Sequence, residues 1–166
     1  MARNTATMTN EEFGIMMEQR LRPLLAEALE DTLVKTADRY CDKDFVGEKW
    51  IVELKCRRAV DSLGRPVSSR TFANWFMSAT KIEMAKKEKK DVVFFYYFER
   101  DETLWYIVYD DEEFSHFKVE YTALQEPTKK VVRHQKNYSI PSSSWNLLHD
   151  FRKAREELVA EKNVIV

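Results

Sequence analysis

The sequence predicts an α/β protein, a mixed central β-sheet flanked by helices. Three observations carry that expectation. Segments with apolar residues at helical spacing alternate with β-branched and aromatic runs of strand length, the pattern of a sheet covered by helices. The 166 residues are 44% hydrophobic and 13% aromatic, enough for a core that needs neither disulfides nor structural metal. Glycine and proline are scarce, at three and four residues, which disfavours turn-dense sandwiches and barrels. Residues 1–166 are expected to form one domain, with no linker and no internal repeat.

Residues 1–8 are polar and expected to be flexible. Thr9 and Glu12 make a capping-box pattern ahead of Phe13, Met16, Met17, Leu21, Leu24, Leu25 and Leu29, which predicts a helix over about 10–33. Pro23 lies inside it and predicts a kink or break near Leu21. Phe45-Val46, the turn Gly47-Glu48-Lys49 and the run Trp50–Cys56 read as a β-hairpin. Residues 61–69 read as a loop. Ser68 or Ser69 then caps a predicted helix carrying Phe72, Trp75, Phe76, Ala79 and Ile82, which ends in the charged run 86–90. Val92–Phe98 and Leu104–Tyr109 read as a second hairpin, and further strands fall at about 114–121 and 131–139. Pro141 and three serines open a final helix with Trp145, Leu148, Phe151 and Leu158 on one face.

Several function classes are excluded outright. With glycine only at Gly14, Gly47 and Gly64, neither GxGxxG nor GxxxxGK[ST] can be written, so dinucleotide and P-loop sites fall. Cys41 and Cys56 with three scattered histidines supply no compact zinc site. His116 lacks a nucleophile partner, so no Ser/His mechanism is indicated. The balance of 27 basic and 28 acidic residues excludes a globally basic nucleic-acid coat while leaving local patches open. No apolar run approaches the roughly 20 residues needed to cross a bilayer, and MARNTATMTNEE lacks the apolar stretch of a secretory signal. The expectation is an intracellular, soluble protein with no membrane partner.

One constellation carries chemistry. Alternation along a strand puts Glu53, Lys55 and Arg57 on one face, with Val52, Leu54 and Cys56 on the other. Glu53 and Lys55 are then about 7 Å apart along a rigid element. Asp44 opens the neighbouring hairpin strand and can approach the same region, with Asp42 competing for the role. Two carboxylates beside an ammonium suit Mg²⁺ or Mn²⁺ and phosphodiester hydrolysis. The competing reading is an edge ion pair between Glu53 and Lys55.

At these residues the sequence resembles the PD-(D/E)XK, or restriction-endonuclease-like, nuclease superfamily. The matching pieces are Asp44-Phe45-Val46 and Trp50-Ile51-Val52-Glu53-Leu54-Lys55. The resemblance implies an αβββαβ core over roughly residues 10–110, with extra strands and a helix at the C-terminal end. It implies Asp44 and Glu53 as metal ligands, the Leu54 carbonyl as a backbone ligand and Lys55 as the catalytic lysine. A helical glutamate near the metals is best matched by Glu18. Two features depart from the family pattern: Lys43 stands where a proline usually precedes the acid, and the Gln-x-x-x-Tyr pattern of the RecB-like branch is absent.

Local charge suggests the partner. Arg57 and Arg58 continue the motif, Arg70 follows two serines, and Lys129, Lys130, Arg133 and Lys136 fall in a stretch without acids, which together predict a nucleic-acid-binding surface. A solvated strand edge guarded by lysines explains the last stretch equally well. The expected function is a metal-dependent endonuclease acting on DNA, with low sequence specificity or specificity for structure, and a homodimer is the candidate assembly. The alternatives are a non-catalytic nucleic-acid- or protein-binding member of the same fold and an RNA endonuclease.

Overall fold

Apolar residues every three or four positions, opened by a capping threonine, give the first helix. In the computed structural model, which describes residues 7–35, 45–125 and 132–164, helix α1 spans Asn10–Leu29. The Thr9 hydroxyl accepts from Glu12 N at 3.1 Å, and Phe13, Met17, Leu21 and Leu25 form the buried stripe. The helix runs unbroken through Pro23, so of the predicted kink or break the break does not occur. Pro23 and Gln19 are both exposed, so water can reach the carbonyl that loses its partner. The helix stops short of residue 33 because Glu30 adopts a left-handed C-cap at φ 50°. Met8, expected to be flexible, is 6% exposed, and its carbonyl accepts from Arg58 at 2.6 Å.

Strands β1 (Val34–Lys35), β2 (Phe45–Val46) and β3 (Trp50–Arg57) follow, each antiparallel to the next. Strand β4 (Asn74–Ser78), helix α2 (Thr80–Glu88) and strand β5 (Asp91–Phe98) come next, and β5 lies parallel to β3 along its length. Strand β6 (Thr103–Val108) completes the expected second hairpin with β5. The short helix α3 (Asp111–Ser115) leads into β7 (Lys118–Gln125) and β8 (Val132–Pro141). Strand β9 (Asn146–Asp150) and helix α4 (Phe151–Val164) end the described chain. Among the described residues, one mixed sheet has the order β1-β2-β3-β5-β6-β9 and a second has β4-β8-β7.

Strand β5 unites two cores. Val92, Phe94, Tyr96 and Phe98 face a cluster with Trp75, Met77, Ile82 and Trp145. Val93, Phe95 and Tyr97 face the α1 stripe with Val52 and Leu54. A strand covered on both faces reads as a continuous apolar run, which is why Phe94–Phe98 shows no alternation. Burial pushes the Tyr97 phenol up to about 12. Its folded value exceeds the unfolded one, so the stability it lends is complete below roughly pH 10 and is lost as pH rises through 12. Ultraviolet titration of the native protein is expected to show late phenolate ionisation that is reduced by one tyrosine in Tyr97→Phe.

Two predicted helices form only in their later parts, and their opening stretches are strands. Residues from Ser68 do not start a helix: Trp75 and Met77 are buried while Phe76 is exposed, a period of two that fits pairing with β8. The helix starts only at Thr80. At the other end, Asn146–Asp150 pairs with β6, and α4 begins at Phe151, where the Asp150 carboxylate accepts from Lys153 N at 2.9 Å. His116 follows α3 rather than sitting in a strand. Among the described residues no helix is long and apolar enough to cross a membrane.

Candidate active site

The hairpin that carries Glu53 is held by a residue well away from it in sequence. Asp31, just past the C-cap of α1, accepts from the backbone amides of Glu48, Lys49 and Trp50 at 3.0, 2.9 and 3.1 Å. Burial pushes its carboxyl up, but hydrogen bonds from Lys49, Glu48, Trp50 and Thr32 outweigh this and hold it below the usual value. Gly47 is required by that approach: a Cβ there would collide with the Asp31 carboxylate. The turn is therefore clamped onto the end of α1.

Strand β2 pairs with β3 at Phe45↔Val52 and Val46↔Ile51. Beyond Val52 no described strand covers that side of β3, and α1 reaches the edge instead. There Glu18, Glu53, Leu54, Lys55 and Arg57 line one cleft of about 690 Å³. Glu53, Lys55 and Arg57 thus share a face as the alternation predicts, and Glu18 is brought to them from α1. The Lys35 ammonium lies 2.9 Å from Glu18 Oε2. Asp42 and Asp44 lie outside the described residues; Phe45, next after Asp44, pairs with Val52, next before Glu53.

The opposite wall belongs to the second sheet. Phe76 and Ser78 of β4, Gln135 and Asn137 of β8, and Glu120 and Thr122 of β7 line it. Registers Ser78↔Asn137 and Glu120↔Asn137 place them side by side. Gln135 Nε2 donates to Ser78 Oγ, and Asn137 Nδ2 donates to Thr122 Oγ1 at 2.8 Å. These neutral polar residues carry no motif, and only the pairing of sequence-distant strands reveals them.

Charge and burial bear on whether a divalent cation suits the cleft. Its charged lining is Glu18, Glu53 and Glu120 against Lys55 and Arg57, and with the Lys35 ammonium on Glu18 acids and bases balance at three each. A bound divalent ion would make the cleft attractive to a phosphate. The Oε2 atoms of Glu18 and Glu53 are both shielded from solvent, and that of Glu18 already lies against the Lys35 ammonium. No group of three or more His, Cys, Asp or Glu among the described residues is placed to hold an ion alone. Two carboxylates and the Leu54 carbonyl nevertheless fit Mg²⁺ or Mn²⁺ chemistry, since Mg²⁺ is usually held by one or two carboxylates and keeps several waters.

The expected nucleic-acid contacts are divided by the fold. Arg57 belongs to the cleft, with Nε donating to the Tyr96 hydroxyl at 3.1 Å and its guanidinium 5.8 Å from the Phe72 ring centre. Burial pushes the Tyr96 phenol up, and Arg57 draws it partly back. Arg58 is committed to structure, bonding Met8 O and Asn10 Oδ1 and lying over Phe13. Arg58→Ala is therefore expected to fray the start of α1, read as faster amide exchange at residues 10–14. Arg70 lines a different cleft. Lys136 alternates with Gln135 and Asn137, so it points away from the cleft, 5.1 Å from the Tyr138 ring centre. Arg133 pairs with Leu124 through its backbone, and Lys129 and Lys130 lie outside the described residues. Comparison of the chain with family models, curated proteins and solved structures finds no match.

Proposed function

We propose that the protein is a Mg²⁺- or Mn²⁺-dependent endonuclease that hydrolyses phosphodiester bonds in DNA, with low sequence specificity or specificity for structure. The observation that carries this reading is the meeting of Glu18, from α1, with Glu53, Leu54 and Lys55, from β3, in one cleft. The order α1, β1–β3, α2, then β5 parallel to β3 supports the likeness to the PD-(D/E)XK superfamily, with β4 intervening before α2.

Glu53, Glu18 and the Leu54 carbonyl would hold the ion, with Asp44 as the further acid that the resemblance implies. The ion, when bound, lowers the pKa of water and stabilises charge on the phosphate. Lys55 orients or deprotonates the attacking water, being fixed two residues along the strand from Glu53. Arg57 neutralises the scissile or an adjacent phosphate. Ser78, Gln135 and Asn137 offer the strand a wall of uncharged hydrogen-bonding groups.

The Lys35–Glu18 ion pair favours a second reading, in which the acid is already neutralised and the cleft binds without cutting. Digestion of supercoiled plasmid, single-stranded DNA and RNA separates these. Nicking with Mg²⁺ or Mn²⁺, none in EDTA and none with Lys55→Ala is expected. Equal cutting by folded Lys55→Ala, or no cutting of any substrate, overturns the proposal, and cutting of RNA alone favours the RNA endonuclease.

A further inference from the structure

We propose that a second cleft, away from β3, binds a nucleoside phosphate, its base on the Trp105–Leu147 platform and its phosphate beside Arg70 and Lys153. This goes beyond the cleavage reading and does not depend on it. The cleft, about 1110 Å³, lies where β6, β9, the start of α4 and the loops at 68–70 and 142–143 converge.

Its floor is aromatic and fixed. Trp105 and Leu147 are cross-strand partners of β6 and β9, so their side chains stand side by side. Trp105 is half-buried, and its indole N–H donates to Thr103 Oγ1 at 2.9 Å, which locks the ring. It stands edge-on to Trp75 at 5.8 Å between ring centres, and Trp75 contacts Trp145 at 5.1 Å. Leu147 is 49% exposed. A half-exposed indole beside an exposed leucine is apolar surface that water covers poorly. A planar base can cover it, and stacking on an aromatic side chain is sequence-tolerant.

A further feature points to an anionic ligand. Arg70 and Lys153 are exposed and line the cleft, and no ion pair among the described residues engages either side chain. Arg70 in particular sits on a turn shaped by Ser68 and Thr71, with its own amide donating to Ser68 Oγ at 3.2 Å. Of the three acids that line the cleft, Asp101 accepts from Ser69 N and Oγ, Asp150 caps α4, and Glu156 is exposed on α4. Trp145, 4% exposed, also lines the cleft.

A base on an apolar platform with a phosphate at its rim describes a free nucleotide and the end of a nucleic-acid strand alike. Calorimetric titration in EDTA, where no strand is cut, distinguishes them, using dAMP, inorganic phosphate, and octathymidylate with and without a 5′-phosphate. Binding of dAMP, or of the 5′-phosphorylated strand, weakened about tenfold by Arg70→Ala and by Trp105→Leu, is the expected result. Strand binding without dAMP binding assigns the site to strand ends. Arg70 is exposed on a turn, so its replacement leaves the fold intact even if Trp105→Leu does not fold. Inorganic phosphate binding as tightly as dAMP, binding unchanged by Arg70→Ala, or no binding of any probe overturns the proposal.

Discussion

Glu53→Ala is expected to lower phosphodiester cleavage by at least about a thousandfold, the scale seen when a group that stabilises transition-state charge is removed. Glu53 stands half-buried in mid-strand, where its neighbours in the register are fixed by β5. No other described carboxylate on β3 can replace it. Stability is expected to change little, because Glu53 lines the cleft and belongs to neither core cluster. Cleavage rates measured with Mg²⁺ and with Mn²⁺, alongside thermal melting, check both halves. Lys55→Ala is expected to lose about a hundredfold or more in kcat, with metal affinity nearly unchanged, because it acts on the nucleophile rather than on the ion. A parallel loss of metal affinity would instead make Lys55 a positioning residue.

Gly47→Ala is the substitution expected to cost most stability per atom added. The new methyl would occupy the place of the Asp31 carboxylate, expelling it from three backbone amides. Hydrogen bonds to a charged acceptor are worth about 1.5–3 kcal/mol each when buried. These are largely exposed and regain water, so the expected total is about 2 kcal/mol, or a fall in Tm of roughly 4–8 °C. Asp31→Ala is expected to match it, and the double variant to add little, since both remove one clamp.

The pH dependence has a definite sign. The folded Asp31 carboxyl lies below the usual value of 3.8, so its contribution is present above that value and fades as pH falls through the folded one. Denaturation at pH 7 and in steps below pH 4 is expected to show the gap between wild type and Asp31→Ala narrowing with acid.

The hairpins were legible because their signals are local. An apolar run broken by Gly47 and one broken by residues 99–102 each name their own partner strand, and alternation then places Glu53, Lys55 and Arg57 together. The segment 72–79 was ambiguous by construction: Phe72, Trp75, Phe76 and Ala79 satisfy helical spacing, while Trp75 and Met77 against Phe76 and Ser78 satisfy a strand. Pairing with β8, some sixty residues later, decides it. Asp31 read as the tail of a long helix, and its role as a clamp depends on where the hairpin returns. The same holds for Ser78, Gln135 and Asn137, which have no chemical signature until β4, β8 and β7 are side by side. Basic residues misled most, because a guanidinium such as that of Arg58 serves a buried carbonyl as readily as a phosphate.

The claim that the Glu18–Glu53 cleft is a cation site is tested most directly by calorimetric titration of Mn²⁺ into the wild-type protein and Glu53→Gln, which keeps the side-chain shape and removes the charge. The expected result is saturable binding to the wild type and its loss in Glu53→Gln, with both proteins equally folded. Indistinguishable isotherms, or no binding heat in the wild type, would contradict it.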